Sequence, residues 1–175
     1  IGYKVHDSCI RVETQKGSIK ADRLILACNG YLGTLEKRLT SKILPMNNYI
    51  VATEPLGDEI VRKINPRDIA FADSRFVINY FRLSADKRLL FGGGENYSKE
   101  LSNNIVPIVT KPLEKIYPFL KGVKIDYAWG GKLAITMNRL PFFTTLYNDK
   151  VISAQGYSGQ GVALASYSGK IVSEK

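Results

Sequence analysis

Between the short apolar segment Val151-Ile152-Ser153-Ala154 and a helical stretch from Val162 to about Ser173 stands Gly156-Tyr157-Ser158-Gly159-Gln160-Gly161. This turn constrains the fold more than any other part of the chain. Its glycines permit positive φ angles and let a flat ligand lie against the backbone with no Cβ in the way. The small residues that follow, Ala163, Ala165, Ser166, Ser168 and Gly169, let the helix approach a neighbour closely. At a helix start, unpaired N–H groups and the positive end of the macrodipole favour negative charge. By shape alone such a turn is more often a plain connection. The spacing G-x-x-G-x-G also differs from the G-x-G-x-x-G that cradles a dinucleotide pyrophosphate, so the turn is not read as an ADP site.

Upstream of this unit, the alternation of Ile10 and Val12, a turn at Gln15-Lys16-Gly17 and the return at Ile19 predict a hairpin. Leu24-Ile25-Leu26-Ala27-Cys28, closed by Asn29-Gly30, is a continuous apolar run of the kind found in strands covered on both faces. Tyr31 to Leu39 fits a short helix. A long strand is expected over Ile43 to Thr53, ended by Glu54-Pro55-Leu56-Gly57, and a helical turn or two over Asp58 to Asn65.

Phe76 to Arg82 alternates and faces Arg88 to Phe91 across Ser84-Ala85-Asp86-Lys87, which predicts a second hairpin with Phe76, Ile78, Tyr80 and Arg82 on one face. Gly92-Gly93-Gly94 lacks the G-K-[ST] of a phosphate loop and reads as the bend ending that hairpin. Ile105, Ile108, Val109, Leu113 and Ile116 recur at helical spacing around Pro107 and Pro112, predicting a kinked helix or two short ones. Ile125, Tyr127 and Trp129 alternate into Gly130-Gly131, while Phe142, Phe143 and Leu146 are candidate core residues.

The 175 residues suffice for one domain or two small ones, and an apolar share of 45% is that of a globular chain. No run approaches the ~18 apolar residues of a membrane helix, and the first residues lack a signal-peptide profile, so the expected location is the cytoplasm. The start at Ile1 and the end within a helical pattern suggest a piece of a longer chain. Two cysteines exclude a disulfide framework. A single histidine, His6, leaves no metal cluster and no triad except one built on His6. The net charge of +9 is spread among acids rather than clustered; a solvated basic surface is favoured over a groove for nucleic acid or an acidic partner, which stays the competing class.

Three stretches carry a resemblance when taken together and in order: Ala21-Asp22-x-Leu24-Ile25-x-Ala27-Cys28-Asn29-Gly30, then Trp129-x-Gly131-x-x-Ala134-x-Thr136-x-x-x-x-Pro141, then the turn at Gly156 to Gly161. The set resembles the C-terminal half of the D-amino-acid-oxidase-like FAD-dependent oxidoreductases, such as glycine and sarcosine oxidases and, nearest in pattern, the γ-glutamylputrescine oxidases. The resemblance runs through most of the chain. It implies an α/β (α+β) fold: a partial FAD-binding domain, residues 1–42 and 126–175, with an antiparallel-sheet substrate domain, residues 43–125, inserted. The G-x-G-x-x-G that holds the ADP moiety in the family is missing here, so the ADP-binding half is expected to be absent and the piece alone is not expected to bind FAD tightly. A family fragment serving only as an inactive scaffold is a further alternative.

Carried onto this sequence, the resemblance implies that Ala27 and Gly30 line the cofactor at a strand end. It also implies that Gly156, Tyr157, Ser158, Gly159, Gln160, Gly161 and Val162 cradle the flavin, and that Trp129 and Gly130 lie near its ring. An ordinary buried indole is the competing reading of Trp129. Gly131 stands where covalently flavinylated members carry the attachment cysteine, so FAD is expected to be noncovalent. Leu90 stands where some sarcosine oxidases carry the lysine that activates oxygen, which leaves O₂ and another electron acceptor both open. Tyr80 matches a pocket tyrosine of the family. Asn48, Arg82 and Gln160 are added as substrate-binding candidates from their placement, Arg82 for a substrate carboxylate or else as a plain surface cation. The implied reaction is oxidation of an amine by hydride transfer to flavin N5, with a small-molecule amine as substrate, no catalytic side chain assigned, no metal and no nucleic-acid partner.

Overall fold

The computed structural model describes all 175 residues. It has a mixed α/β architecture of eleven strands in three sheets and four α-helices. The chain forms two compact units, a split unit of residues 1–46 and 132–175 and an inserted unit of residues 47–131.

In the split unit, β1 (Gly2–Val5), β2 (Ile10–Thr14) and β3 (Gly17–Ala21) make an antiparallel meander. The expected hairpin is its second half. β4 (Leu24–Leu26) runs parallel to β11 (Val151–Gln155), which pairs antiparallel with β10 (Phe142–Leu146), giving the order β10-β11-β4. The strand is shorter than the apolar run, and β4 is not covered on both faces: Leu26 is buried, whereas Ile25 is 55% exposed on an edge strand. In place of the helix expected from Tyr31 to Leu39 there is a 3-10 turn at Asn29–Tyr31 and a four-residue helix, α1 (Lys37–Thr40). Gly33, at φ +57°, interrupts the run, and the Glu36 side chain caps α1 by accepting from the Arg38 N–H at 3.2 Å. α4 (Gly161–Ser173) follows β11.

Apolar side chains lie on both faces of β11. Val151 joins Ile10, Leu26, Leu32 and Leu39, while Ile152 and Ala154 meet Val172 of α4. Phe143 is 40% exposed and is not a core residue, because on β10 it alternates away from half-buried Phe142 and Thr144.

The inserted unit is organised by a five-stranded sheet in the order β6-β7-β8-β5-β9, from β5 (Leu44–Thr53), β6 (Phe71–Ala72), β7 (Tyr80–Leu83), β8 (Leu89–Asn96) and β9 (Ile125–Ile135). One sheet face packs under α2 (Asp58–Ile64) and α3 (Val106–Ile116). There Tyr49, Val51, Leu83, Leu89 and Phe91 join Val109 and Leu113 in one cluster. Each fully buried side chain of this size contributes about 1.5–3 kcal/mol. This explains why α3 stays a single helix: Pro107 sits in the first turn, where no N–H is needed, and the burial of Val109 and Leu113 outweighs the bond lost at Pro112.

Two expectations about the second hairpin are corrected. Phe76 and Ile78 are not in the strand, because Asp73 folds the chain there: Oδ1 accepts from the N–H of Arg75 and Asn79, and Oδ2 from the Asn79 amide. β8 also does not stop at Gly92-Gly93-Gly94 but passes through them. A Cβ at Gly92 would fall 2.2 Å from Tyr80 Cζ, at Gly93 2.8 Å from Asn79 Oδ1, and at Gly94 2.4 Å from Ile108 Cγ2. The glycines are needed because neighbouring side chains cross the strand.

Candidate functional site

In the split unit the candidate residues gather at the C-terminal ends of β4 and β11. The chain leaves β11 through Gly156 at φ +76°, then Ser158 at +51° and Gly159 at +94°, before entering α4. Neighbouring segments clamp this loop. Asn29, itself at φ +47°, accepts through Oδ1 from the Gly156 N–H at 3.0 Å. The Ser158 N–H donates to the Ala134 carbonyl at 3.0 Å, and Ser158 Oγ accepts from the Thr136 N–H at 3.2 Å. Thr136 also fixes the small residue at 156, where a Cβ would come within 2.4 Å of its Cγ2.

Gly30 is held against backbone, with an added Cβ 2.6 Å from the Lys132 carbonyl oxygen. Packing alone thus accounts for glycine at positions 30 and 156. Gly159 differs, since an added Cβ would meet nothing within 4 Å. Gln160 and Val162 are exposed, Tyr157 and Ser158 half-buried, and Ala27 lies exposed just past β4. Burial pushes the thiol of neighbouring Cys28 upward, the opposite of what a nucleophilic cysteine needs.

Leu164 is the first residue of α4 whose N–H closes a helical turn, onto the Gln160 carbonyl at 3.1 Å. The N–H groups of Gly161, Val162 and Ala163 come before it and have no acceptor within the helix. Gln155, the last residue of β11, is fully buried, and its carboxamide nitrogen and oxygen have no hydrogen-bond partner. A helix start rich in free donors, an open glycine and an unpartnered buried amide fit a polar heterocycle that takes up negative charge, as FAD does on reduction.

In the inserted unit Tyr80, Arg82 and Trp129 come together on the sheet face opposite the core. Along β7, Phe81 and Leu83 point into the core, so Tyr80 and Arg82 take the other face beside their partners Gly92 and Leu90. With Ile50, Phe71 and Leu90 they line a hollow of about 270 Å³. Trp129 is 44% exposed there and is not a buried core indole. Arg82 spends only Nε on the protein, donating to the Leu83 carbonyl at 3.2 Å.

The Tyr80 ring lies across Gly92, and its hydroxyl donates to Asn48 Oδ1 at 2.5 Å. Burial first, and then the Glu95 carboxylate, push that hydroxyl above the usual tyrosine range, against the opposing bond to Asn48. Gly130 is explained by packing within this unit, since a Cβ would come 2.6 Å from the ring of buried Tyr49.

The sequence reading passed over four residues as site components: Asn29, Thr136, Glu95 and Gln155. Asn29 had a usable signal, an Asn-Gly pair closing an apolar run, because asparagine tolerates the left-handed region and offers a short acceptor. Thr136 stood among the recognised residues without a role. Nothing local marks Glu95 or Gln155, whose interest lies in what surrounds them.

Residues 2–175 match the family of FAD dependent oxidoreductases. The chain is 44% identical over 163 residues to the probable oxidoreductase OrdL of Rhizobium meliloti (strain 1021), covering 93% of this chain and 37% of the relative. It is 36% identical over 170 residues to the gamma-glutamylputrescine oxidoreductase of Escherichia coli (strain K12), covering 97% and 40%. The chain therefore spans about two fifths of the length of the curated relatives it matches. Among solved structures, L-proline dehydrogenase from P. horikoshii superposes with a TM-score of 0.76 at 22% identity over 99% of this chain and 48% of that one, a likeness of fold. With the match running through essentially all of its residues, the chain belongs to the FAD-dependent oxidoreductases of the D-amino-acid-oxidase-like family.

Proposed function

We propose that the full protein oxidises a primary or secondary amine that carries a carboxylate, and that the two units divide the work. The split unit takes the flavin, noncovalently, at the loop from Gly156 to Val162 and at the strand end with Ala27 and Gly30. The inserted unit takes the amine on its open sheet face, where Trp129 lines the hollow. When bound there, FAD would supply the hydride acceptor for the carbon beside the amine nitrogen, and the oxidised amine would be an imine for water to hydrolyse.

The chain's own residues supply placement and field. Ile50, Phe71, Leu90 and Trp129 give the hollow an apolar lining that sheds water around the reacting carbon. Arg82 has terminal nitrogens left for a bidentate grip on a carboxylate. The N–H groups of Gly161 to Ala163 would stabilise the charge of the reduced ring, and Gln160, exposed at the helix start, would contact the ligand. The observation that carries this reading is the meeting of Tyr80, Arg82 and Trp129 around one apolar hollow, in a member of a flavoenzyme family. The name of the Escherichia coli relative favours an amine such as γ-glutamylputrescine, whose far end bears a carboxylate for Arg82. The same chemistry makes a small molecule, not nucleic acid, the expected partner.

The test uses the full-length protein. Anaerobic mixing with γ-glutamylputrescine bleaches the flavin absorbance, and Arg82→Met raises KM for that substrate about tenfold or more, the loss of a charge-assisted pair. Gly159→Asp places a side chain and a negative charge in the cradle and lowers the bound flavin per protein, read directly from the visible spectrum. A Gly159→Asp protein with full flavin content counts against the loop. An Arg82→Met protein with unchanged KM counts against the carboxylate.

A further inference from the structure

The hydroxyl of Tyr80 has one proton to give, and the arrangement around it decides where that proton goes. Asn48 is buried on β5, with Oδ1 2.5 Å from the Tyr80 hydroxyl and Nδ2 3.4 Å from Glu95 Oε1. A carboxamide presents an acceptor on one side and a donor on the other, and its two ends have nearly the same shape. An ionised carboxylate only accepts. With the amide reversed, its oxygen would face the Glu95 carboxylate and its NH₂ group would face Tyr80. Glu95 therefore selects one orientation of Asn48, and that orientation requires Tyr80 to be the donor.

We propose that Glu95 is a positioning residue that acts through Asn48 to commit the Tyr80 proton away from the hollow, so that the Tyr80 oxygen meets the substrate as an acceptor for its amine N–H. The inference rests on the reading of this hollow as the amine site. It goes beyond it by giving Tyr80 a direction and Glu95 a task. An acceptor oxygen favours ligands with an N–H at that point and gives no grip to an otherwise matched ligand lacking one. The raised Tyr80 ionisation is consistent with this, since it keeps the hydroxyl neutral and its proton in place for Asn48.

The experiment compares variants of the full-length holoenzyme. Tyr80→Phe removes the acceptor, Glu95→Gln removes the selection, and the exchange Asn48→Asp with Glu95→Gln restores an acceptor-only group beside Tyr80 while conserving the charge of the pair. Glu95→Gln is expected to raise KM for the amine about tenfold, the worth of one hydrogen bond in a shielded site, while kcat changes less than threefold. The Kd of an alkyl carboxylate of matched length without the amine stays within twofold, which also reports that the hollow is intact. The exchanged pair recovers most of the lost KM and provides the test if Glu95→Gln alone folds poorly.

An unchanged KM in Glu95→Gln, an equal loss for the amine-free carboxylate, or no recovery in the exchanged pair overturns the proposal. If Tyr80→Phe also leaves amine KM unchanged, the reading of the hollow as the amine site fails with it. If Tyr80→Phe raises KM and Glu95→Gln does not, only the role of Glu95 fails.

Discussion

The inserted and split units handle buried polar side chains differently. In the inserted unit the buried polar residues are all matched: the Asn47 amide reaches Asn96, Ser98 and Glu100, Asn48 binds Tyr80 and Glu95, Thr53 serves Leu89, Asn65 holds Ile69, and Asn79 holds Asp73. In the split unit Glu36, Thr136, Ser153 and Ser168 are likewise paired, but Gln155 keeps both ends of its amide unused. The cores differ in the same sense, one cluster around Phe91 against two smaller ones separated by β11. Where every group is matched, a residue's identity is explained by its own unit. Where one is left over, as at Gln155 or the open Gly159, the explanation points to something the unit is built to meet.

The sharpest way to break this comparison is to damage the inserted core alone. Phe91 is fully buried, stacked on Phe81 with ring centroids 5.2 Å apart, and central to the cluster. Phe91→Ala should cost about 3–5 kcal/mol. Trp129 is the single tryptophan of the 175 residues and lies in the inserted unit, so its fluorescence during urea unfolding reports that unit directly. The substitution should shift the tryptophan transition strongly and leave that part of the far-ultraviolet signal due to the split unit near its original midpoint. A common shift of both signals would show that the units do not unfold separately.

A second contrast sets two glycines against each other. Gly92→Ala drives a Cβ into the Tyr80 ring, so the ring must leave and the Tyr80–Asn48 bond breaks; the expected cost is about 1–3 kcal/mol. Gly159→Ala meets no atom, and only its φ of +94° resists, at about 1 kcal/mol. Thermal melting of the two variants ranks them, and a larger loss for Gly159→Ala would reverse the reading of which glycine is structural.

These positions also show how much of the molecule was legible in the sequence. β11, the glycine turn and α4 could be read because apolar burial, positive φ and helix small residues follow one another within about twenty residues, a local grammar. The mixed α/β class and the family followed from three such stretches in order. The course of β8 could not be read. A glycine triplet looks like a strand end, and what keeps it in the strand is Tyr80, Asn79 and Ile108 crossing from other segments. Phe76 and Ile78 misled in the opposite way, since their alternation suits a strand while Asp73 captures the backbone into a bend. Within the candidate site, Tyr80 and Arg82 were visible as alternating residues, but the Glu95 side chain behind Asn48 was not, because that contact spans 47 positions in sequence.

Gln155 gives a smaller and oppositely signed effect. An unpaired buried carboxamide costs about 1–3 kcal/mol, so Gln155→Met, close in volume and without polar groups to satisfy, should stabilise the ligand-free chain by about 1 kcal/mol. In the full-length protein the same change should weaken FAD retention, measured as flavin released during gel filtration. Stabilisation together with full flavin retention would mean that the unused amide has no ligand to serve.

The smallest effect compares the two units' carboxylates in acid. In the inserted unit, hydrogen bonds from Arg88 and then Lys124 hold the Asp126 carboxyl below its usual range, and Arg88 also donates to the Thr53 carbonyl at 2.8 Å and to Asp86 at 2.7 Å. In the split unit, burial alone would raise Glu36, but hydrogen bonds from Tyr3 and Arg38 outweigh it and hold that carboxyl low as well. A carboxylate with a folded value below its unfolded one adds stability that is complete above the unfolded value, about 4, and is lost as pH falls through the folded one. Asp126→Asn should therefore flatten the acid limb of the Trp129-reported midpoint below about pH 4. Glu36→Gln, acting in the other unit, should leave that limb unchanged while flattening the acid loss of the remaining far-ultraviolet transition. An equal response of the tryptophan signal to both substitutions would mean that acid sensitivity belongs to the chain as a whole, and the separation drawn from Phe91 would fail with it.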